Sequence, residues 1–210
     1  SCPKEFTPKE IMKEHWDERY ASEEYIYGTE PNRWFAGHLR MLKAGRLLLP
    51  AEGEGRNAVY AAAAGWEVHA FDQSAEGQRK ALKLAAKKGV TLRYTIDSLE
   101  EMAGIDGRFD TIALIFVHIH EEQRAAVHRR LASMLHPGGV LILEAFSRKQ
   151  LGNASGGPRT EAMLYTSAML EADFSELELI FSEEACKHLD EGPLHFGNAE
   201  LVRLLAKKPF

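Results

Sequence analysis

Residues 47–72 read LLLPAEGEGRNAVYAAAAGWEVHAFD. Gly53-x-Gly55-x-x-Ala58 satisfies the G-x-G-x-x-G/A pattern, and Asp72 stands 19 positions after Gly53. Glycines at this spacing let backbone approach a ligand closely, and the helix that follows offers free N–H groups at its start. An aspartate at the end of the next strand can accept hydrogen bonds from ribose hydroxyls. The combination predicts a nucleoside cofactor without distinguishing a dinucleotide from another adenosine derivative. Further on, TIDSLEEM (95–102) places Asp97 at the carboxyl end of a third strand. There it would face an adenine amine, with Leu99 against the ring.

These residues need a scaffold that brings strand ends together. Strand-like runs fall at 46–50, 67–71, 90–95, 110–117 and 140–146, and helix-like runs at about 56–65, 75–88 and 121–135. The third helix carries Val127, Leu131, Met134 and Leu135 at helical spacing, one stripe for one sheet face. LLLP and LIFV are continuous apolar runs, as parallel strands covered on both faces require. Two further strand candidates, 177–181 and 199–208, have only SEEACKHLDEGPLHFGN between them and are expected to pair as a hairpin. The alternation predicts an α/β fold, Rossmann-like and doubly wound. Its sheet is mostly parallel and seven-stranded, with an antiparallel C-terminal strand and helices on both faces.

One domain is expected over 1–210. Residues 1–45 form a helical and aromatic cover, 46–146 the cofactor-binding core, and 147–210 a lid loop, helix and hairpin. In the cover, TPKEIMKEHWDERYASEEY reads as a helix starting at Thr7 and Pro8. YIYGTEPNRWF reads as an aromatic-rich turn. SRKQLGNASGGPRTEAMLY (147–165) is a long irregular loop of the kind that closes over sites.

The chain has 210 residues, 45% hydrophobic and 27% charged, with net charge −5. Basic residues are interleaved with acids, so no nucleic-acid partner is expected and a small substrate is. No run approaches the roughly 18 apolar residues that would span a bilayer, and SCPKEFTPKE has no apolar signal core. Two cysteines, Cys2 and Cys186, make no disulfide framework, which points to a reducing cytoplasm. A monomer or homodimer is expected.

LHPGGVLILEAF (135–146) adds a helix end, a Pro-Gly-Gly turn and an apolar strand. With the glycine turn, Asp72, Asp97 and the reversed last strand in that order, the chain resembles class I S-adenosylmethionine-dependent methyltransferases over roughly residues 16–208. WDERYASEEYIYGTEPNRWF, GEGRNAVYAAAAGWEVHAFDQS and LEAFSRKQL with its later SGGP and MLY are similar to the tellurite-resistance and thiopurine-methyltransferase-like branch. The resemblance implies S-adenosyl-L-methionine as cofactor, S-adenosyl-L-homocysteine as product, and a small-molecule acceptor. It implies cofactor contacts from Glu52, Gly53, Gly55, Asn57, Asp72, Gln73, Ser74, Asp97, Ser98, Leu99, Phe116 and Val117. The family's turn runs acidic-x-Gly-x-Gly-x-Gly, whereas here Leu49 holds the acidic position and Ala51 the first glycine. Glu52 either substitutes for that acid or is a solvated loop carboxylate.

Methyl transfer is an in-line displacement at a sulfonium methyl, so positioning dominates and a base is needed only for a protonated acceptor. His118 and His120 follow the fourth strand and, in extended backbone, point the same way. His118 orients the acceptor or acts as base, or else packs before the next helix. Arg33, Arg148 and Arg159 on the two covers could hold an anionic acceptor. Tyr27 and Tyr165 are lid contacts or packing residues. No metal is expected: Cys186, His188 and His195, or His118 with His120, match no zinc spacing. Two rival readings remain, an NAD(P)-dependent oxidoreductase and a non-catalytic module that binds S-adenosylmethionine.

Overall fold

The computed structural model describes residues 7–210; Cys2 lies outside them. A helix, α1 (Pro8–Tyr20), opens with a capping box in which Thr7 Oγ1 and the Glu10 carboxylate each accept the other's backbone N–H. A strap leads to α2 (Arg33–Leu39), started by Asn32, whose side chain accepts from Phe35 N. Then come β1 (Arg46–Pro50), α3 (Arg56–Ala63), β2 (Glu67–Asp72), α4 (Ala75–Lys87), β3 (Arg93–Ile96) and β4 (Phe109–Ile115). α5 (Glu121–Ser133), β5 (Leu135–Phe146), two short 3-10 turns, α6 (Ser167–Asp173), β6 (Glu178–Asp190) and β7 (Phe196–Lys207) complete the chain.

The seven strands lie in the order β3-β2-β1-β4-β5-β7-β6. β1 to β5 are parallel, and β7 runs antiparallel to both of its neighbours. Alternation along β1 divides the core. Leu47 and Leu49 pack with Phe35, Ala58, Ala61 and Ala81 beneath α2, α3 and α4. Leu48 packs on the other face with Val127, Leu131 and Leu170 of α5 and α6. This is the doubly wound sheet that the sequence predicts. The strand order reverses between β1 and β4, opening a crevice at their carboxyl ends, where ligands of such sheets bind.

Four boundaries differ from expectation. β3 starts at Arg93, because Val90 closes the end of α4 and packs with Leu84 and Ala85. α5 ends at Ser133, and Leu135 already belongs to β5. The aromatic turn runs into the first residues of α2. The expected connector between the last two strands is mostly strand, leaving only residues 191–195 as the turn. β6 is an edge strand with one neighbour; it begins with the exposed apolar run Leu179, Ile180 and Phe181 and continues through mostly polar residues. Among the described residues no helix is long and apolar enough to cross a membrane.

Candidate cofactor and acceptor site

The loop after β1 turns three times through left-handed backbone, at Ala51 (φ 49°), Gly53 (φ 60°) and Gly55 (φ 87°). The Asp72 carboxylate holds this loop: it accepts from Gly53 N at 3.0 Å and from Ser74 N at 2.9 Å. The Tyr94 hydroxyl donates to Gly53 O at 2.6 Å. A side chain at Gly53 would strike the Tyr20 hydroxyl, and one at Gly55 would strike Ala81 of α4, each at 2.5 Å. Gly55 is therefore a packing requirement as much as a ligand one.

Gly55 begins α3 and has no side chain to cap it. Glu52 supplies the missing cap, accepting from Ala58 N at 2.7 Å. Leu49, at the family's acidic position, is buried in the apolar cluster under α2 and α3. Glu52 is thus tied to the start of α3. Burial pushes the Glu52 carboxyl up to about 7 and the Asp72 carboxyl up to about 6. Among the described residues neither carboxylate forms an ion pair.

α1 lies over the loop. Asp17 accepts from Ser74 Oγ at 2.6 Å, and Trp16 stacks on Tyr20 at 5.5 Å. Ser74 is completely buried and caps α4 through Gly77 N, so its hydroxyl is engaged. Asn57 is likewise engaged, accepting from Asn32 N at 2.9 Å. Gln73 is half-buried beside them. Asp97 accepts from Ser98 N at 2.8 Å and Gly104 N at 2.7 Å. It thereby shapes the 98–104 loop, in which Ser98 is buried and Leu99 packs partly exposed on the core.

On the other side of the crevice, Phe116 follows β4 with a left-handed φ of 54°. Its ring meets Phe146 at 4.8 Å and His195 at 4.5 Å. Tyr27 closes on His195 at 4.4 Å, and its hydroxyl accepts from Arg19 at 3.3 Å. Val117 turns the opposite way, into the main core. His118 spends both ring nitrogens: Nδ1 lies 2.7 Å from Met163 O, to which it donates, and Nε2 accepts from Phe146 N at 3.3 Å. Burial brings its pKa down to about 4, which fits a neutral strut between β5 and the lid.

Several expected acceptor contacts stand elsewhere. Tyr165 is fully buried; its hydroxyl accepts from Ile119 N at 2.6 Å and donates to Val117 O at 3.1 Å. It is a core residue, because the chain at 165 bridges back to Ser147 beneath the lid. His120 does not share a direction with His118. The turn into α5 breaks the extended backbone, and His120 caps that helix from an exposed position, accepting from Glu122 N at 3.4 Å. Arg33 and Arg159 are exposed. Arg148 faces Glu161 at 3.6 Å and Glu121 at 4.0 Å.

Sequence reasoning passed over a buried polar network. Asn32 Nδ2 donates to Glu144 at 2.8 Å and Glu191 at 2.9 Å, Arg203 donates to Glu144 at 2.5 Å, and Arg56 donates to Glu191 at 2.8 Å. Beside it, Glu54 is ion-paired with Lys80, which also donates to Ser22 O at 2.9 Å. One acid inside VLILEAF was the available signal for Glu144. His195, alone in a turn, carried none beyond its inclusion in a rejected metal set. Among the described residues no three of His, Cys, Asp and Glu gather as a metal would require.

A methyltransferase-domain family model matches residues 50–139. A glycine/sarcosine N-methyltransferase of Halorhodospira halochloris is 34% identical over 134 residues, 61% of this chain and 47% of that protein. The chain thus matches about half the length of this curated relative. TehB from Haemophilus influenzae superposes with TM-score 0.71 at 14% identity, covering 93% of this chain and 66% of that one. The [4+2]-cyclase SpnF superposes with TM-score 0.72 at 15% identity over 99% and 98% of the two chains. These likenesses show the fold: with its mostly parallel sheet and reversed β7, this chain has the class I S-adenosylmethionine-dependent methyltransferase fold.

Proposed function

We propose that this chain binds S-adenosylmethionine in the crevice between β1 and β4 and transfers its methyl group to a small-molecule acceptor. The carrying observation is the pair of carboxylates against Gly53, buried Asp72 and half-buried Glu52, neither of them in an ion pair among the described residues. Such a pair suits a ligand that brings positive charge and hydroxyl donors, here an ammonium, a sulfonium and a ribose. It opposes a pyrophosphate, which argues against the NAD(P) reading despite the glycine spacing. Bound, the cofactor would supply a methyl group already activated on sulfur.

The chain's own residues then bind, orient and exclude water. Asp72 would take the ribose hydroxyls on its remaining lone pairs, and Glu52 would face the methionyl ammonium. Asp97, with Ser98 and Leu99, would border the adenine. Gly53 and Gln73 would line the ribose side, and Phe116 would stand at the methyl end. Ser74, Asn57, Gly55 and Val117 support these groups from behind, each already committed to protein contacts. Among thiol, oxyanion and metalloid acceptors, the rings of Tyr27, Phe116 and Phe146 favour an organic thiol or hydroxyl over a bare oxyanion. The nearby arginines Arg56 and Arg148 already face Glu191, Glu121 and Glu161. We place the enzyme in the cytoplasm, as a monomer or homodimer.

Calorimetry with S-adenosylhomocysteine, NAD and NADP tests the reading. Binding of S-adenosylhomocysteine alone is expected. Preference for either dinucleotide would overturn it. Tight binding of S-adenosylhomocysteine with no methyl transfer to any organic thiol or hydroxyl would favour the non-catalytic module.

A further inference from the structure

We propose that His195 is the acceptor-side catalytic base: its Nδ1 takes the proton of a neutral, ring-bearing hydroxyl or thiol as that group attacks the methyl carbon. This inference rests on the methyl-transfer reading above. His195 is 6% exposed, and its Nδ1 is fully buried without a hydrogen-bond partner among the described residues. A buried ring nitrogen without a partner is costly and is held only where the surroundings over-determine it.

Three segments converge to hold it. The turn between β6 and β7 fixes the backbone, with His195 N donating to Gly192 O at 3.2 Å and Glu191 N to His195 O at 2.9 Å. The strap seats that turn: a side chain at Gly192 would strike Ile26 O and Gly28 N at 2.6 Å. The lid presses from the third side, since a side chain at Gly156 would lie 2.8 Å from His195 Cδ2. Two other buried histidines, His69 and His128, also have an unpaired nitrogen. Their second nitrogens are anchored to Thr95 and Asp173, and neither packs on Phe116. Among the described residues His195 alone meets Tyr27, Phe116 and Phe146 together.

The ring is neutral through physiological pH. Burial holds its pKa well below 6.5, helped by Arg56 on α3, His118 after β4 and Arg19 on α1. Tyr27 faces it from the strap, and the nearby Glu191 carboxylate is engaged by Arg56 and Asn32. A neutral imidazole offers a lone pair. In the step, the acceptor's X–H bond breaks and its proton goes to Nδ1. The X electron pair forms the bond to the methyl carbon. The carbon–sulfur bond breaks with its pair returning to sulfur, giving the neutral thioether, and the imidazolium later loses its proton to water. An acceptor held at Nδ1 would lie against the rings of Tyr27, Phe116 and Phe146, so phenols and aromatic thiols are the acceptor class.

The test is a series of substituted phenols and thiophenols offered to wild type and His195→Gln with S-adenosylmethionine at neutral pH. S-adenosylhomocysteine affinity is measured by calorimetry and folding by thermal melts. The variant is expected to fold, to bind S-adenosylhomocysteine as wild type does, and to lose about 100-fold or more on acceptors that are protonated at the assay pH. On 4-nitrothiophenol, already ionised, the loss should be at most a few-fold. Equal losses across the series, no loss at all, or a wild type that binds S-adenosylhomocysteine but methylates no member would overturn the proposal. Failure of the wild type to bind S-adenosylhomocysteine would instead sink the cofactor reading, and calorimetry tells the two apart.

Discussion

The Asp72 carboxylate accepts from the Gly53 amide at 3.0 Å, so one side chain both shapes the glycine loop and faces the crevice. Asp72→Ala is expected to weaken S-adenosylhomocysteine binding by about 1–3 kcal/mol. Calorimetry at fixed pH reads this directly, and unchanged affinity would remove Asp72 from the site.

Glu52 and Asp72 have folded pKa values raised to about 7 and about 6, above their unfolded values near 4. Between those limits the folded state binds more protons than the unfolded one, so their contribution to stability falls as pH rises from about 4 to 7. A bound cation favours the charged forms. S-adenosylmethionine should therefore bind more tightly at pH 8 than at pH 5.5, and Glu52→Gln should flatten both trends. Affinities and melting temperatures at the two pH values check this; a flat binding profile in wild type counts against these two carboxylates.

The Glu54–Lys80 pair is buried on both sides. Lys80→Met leaves Glu54 charged and unpaired and is expected to cost about 3–5 kcal/mol. Urea unfolding measures it. A cost below about 1 kcal/mol would mean that Ile26 N alone suffices to hold Glu54.

Ala51 carries a left-handed φ of 49°, strained by about 1–2 kcal/mol for a residue with a Cβ. Ala51→Gly relieves that and loses about 0.4–1 kcal/mol through the unfolded chain. A net stabilisation on the order of 0.5–1 kcal/mol is expected from these opposing terms. A lowered melting temperature would show that the loop is not strained there.

His118 ties Phe146 N to Met163 O. His118→Ala should lower stability by about 1–3 kcal/mol and leave the pH dependence of transfer unchanged. A shifted acidic limb in that profile would restore His118 as base.

Legibility in the sequence followed the range of the interactions. β1, β2 and α4 are set by local runs and nearby glycines, and they fall within a residue or two of expectation. The crevice was legible through Gly53, Asp72 and Asp97, because each marks a strand end. Of β6 only the apolar start was legible; beyond Phe181 it is an edge strand of mostly polar residues, which carries no run to mark it. His120 went astray because the turn into α5 decides where it points, while Tyr165 took its packing alternative because of the path of the chain beneath the lid. His195 depends on strap, lid and hairpin meeting, and only the assembled fold shows that.

The polar network around Asn32 and Glu144 bears on how far this domain can be divided. The 46–146 segment contains every strand of the parallel half and the whole stretch matched by the family model. It also contains Glu144, buried at 1% exposure, while Arg203 and Asn32 lie on opposite sides of it in the chain. Excised by itself, the segment would keep a desolvated carboxylate and lose both of its partners, a defect worth several kcal/mol. The glycine loop would also lose Tyr20 and the strap that holds Glu54. The portion richest in cofactor motifs is therefore not a portable module. Its autonomy is spent on side chains contributed by the two flanks, and engineering that grafts or permutes the site must carry them along.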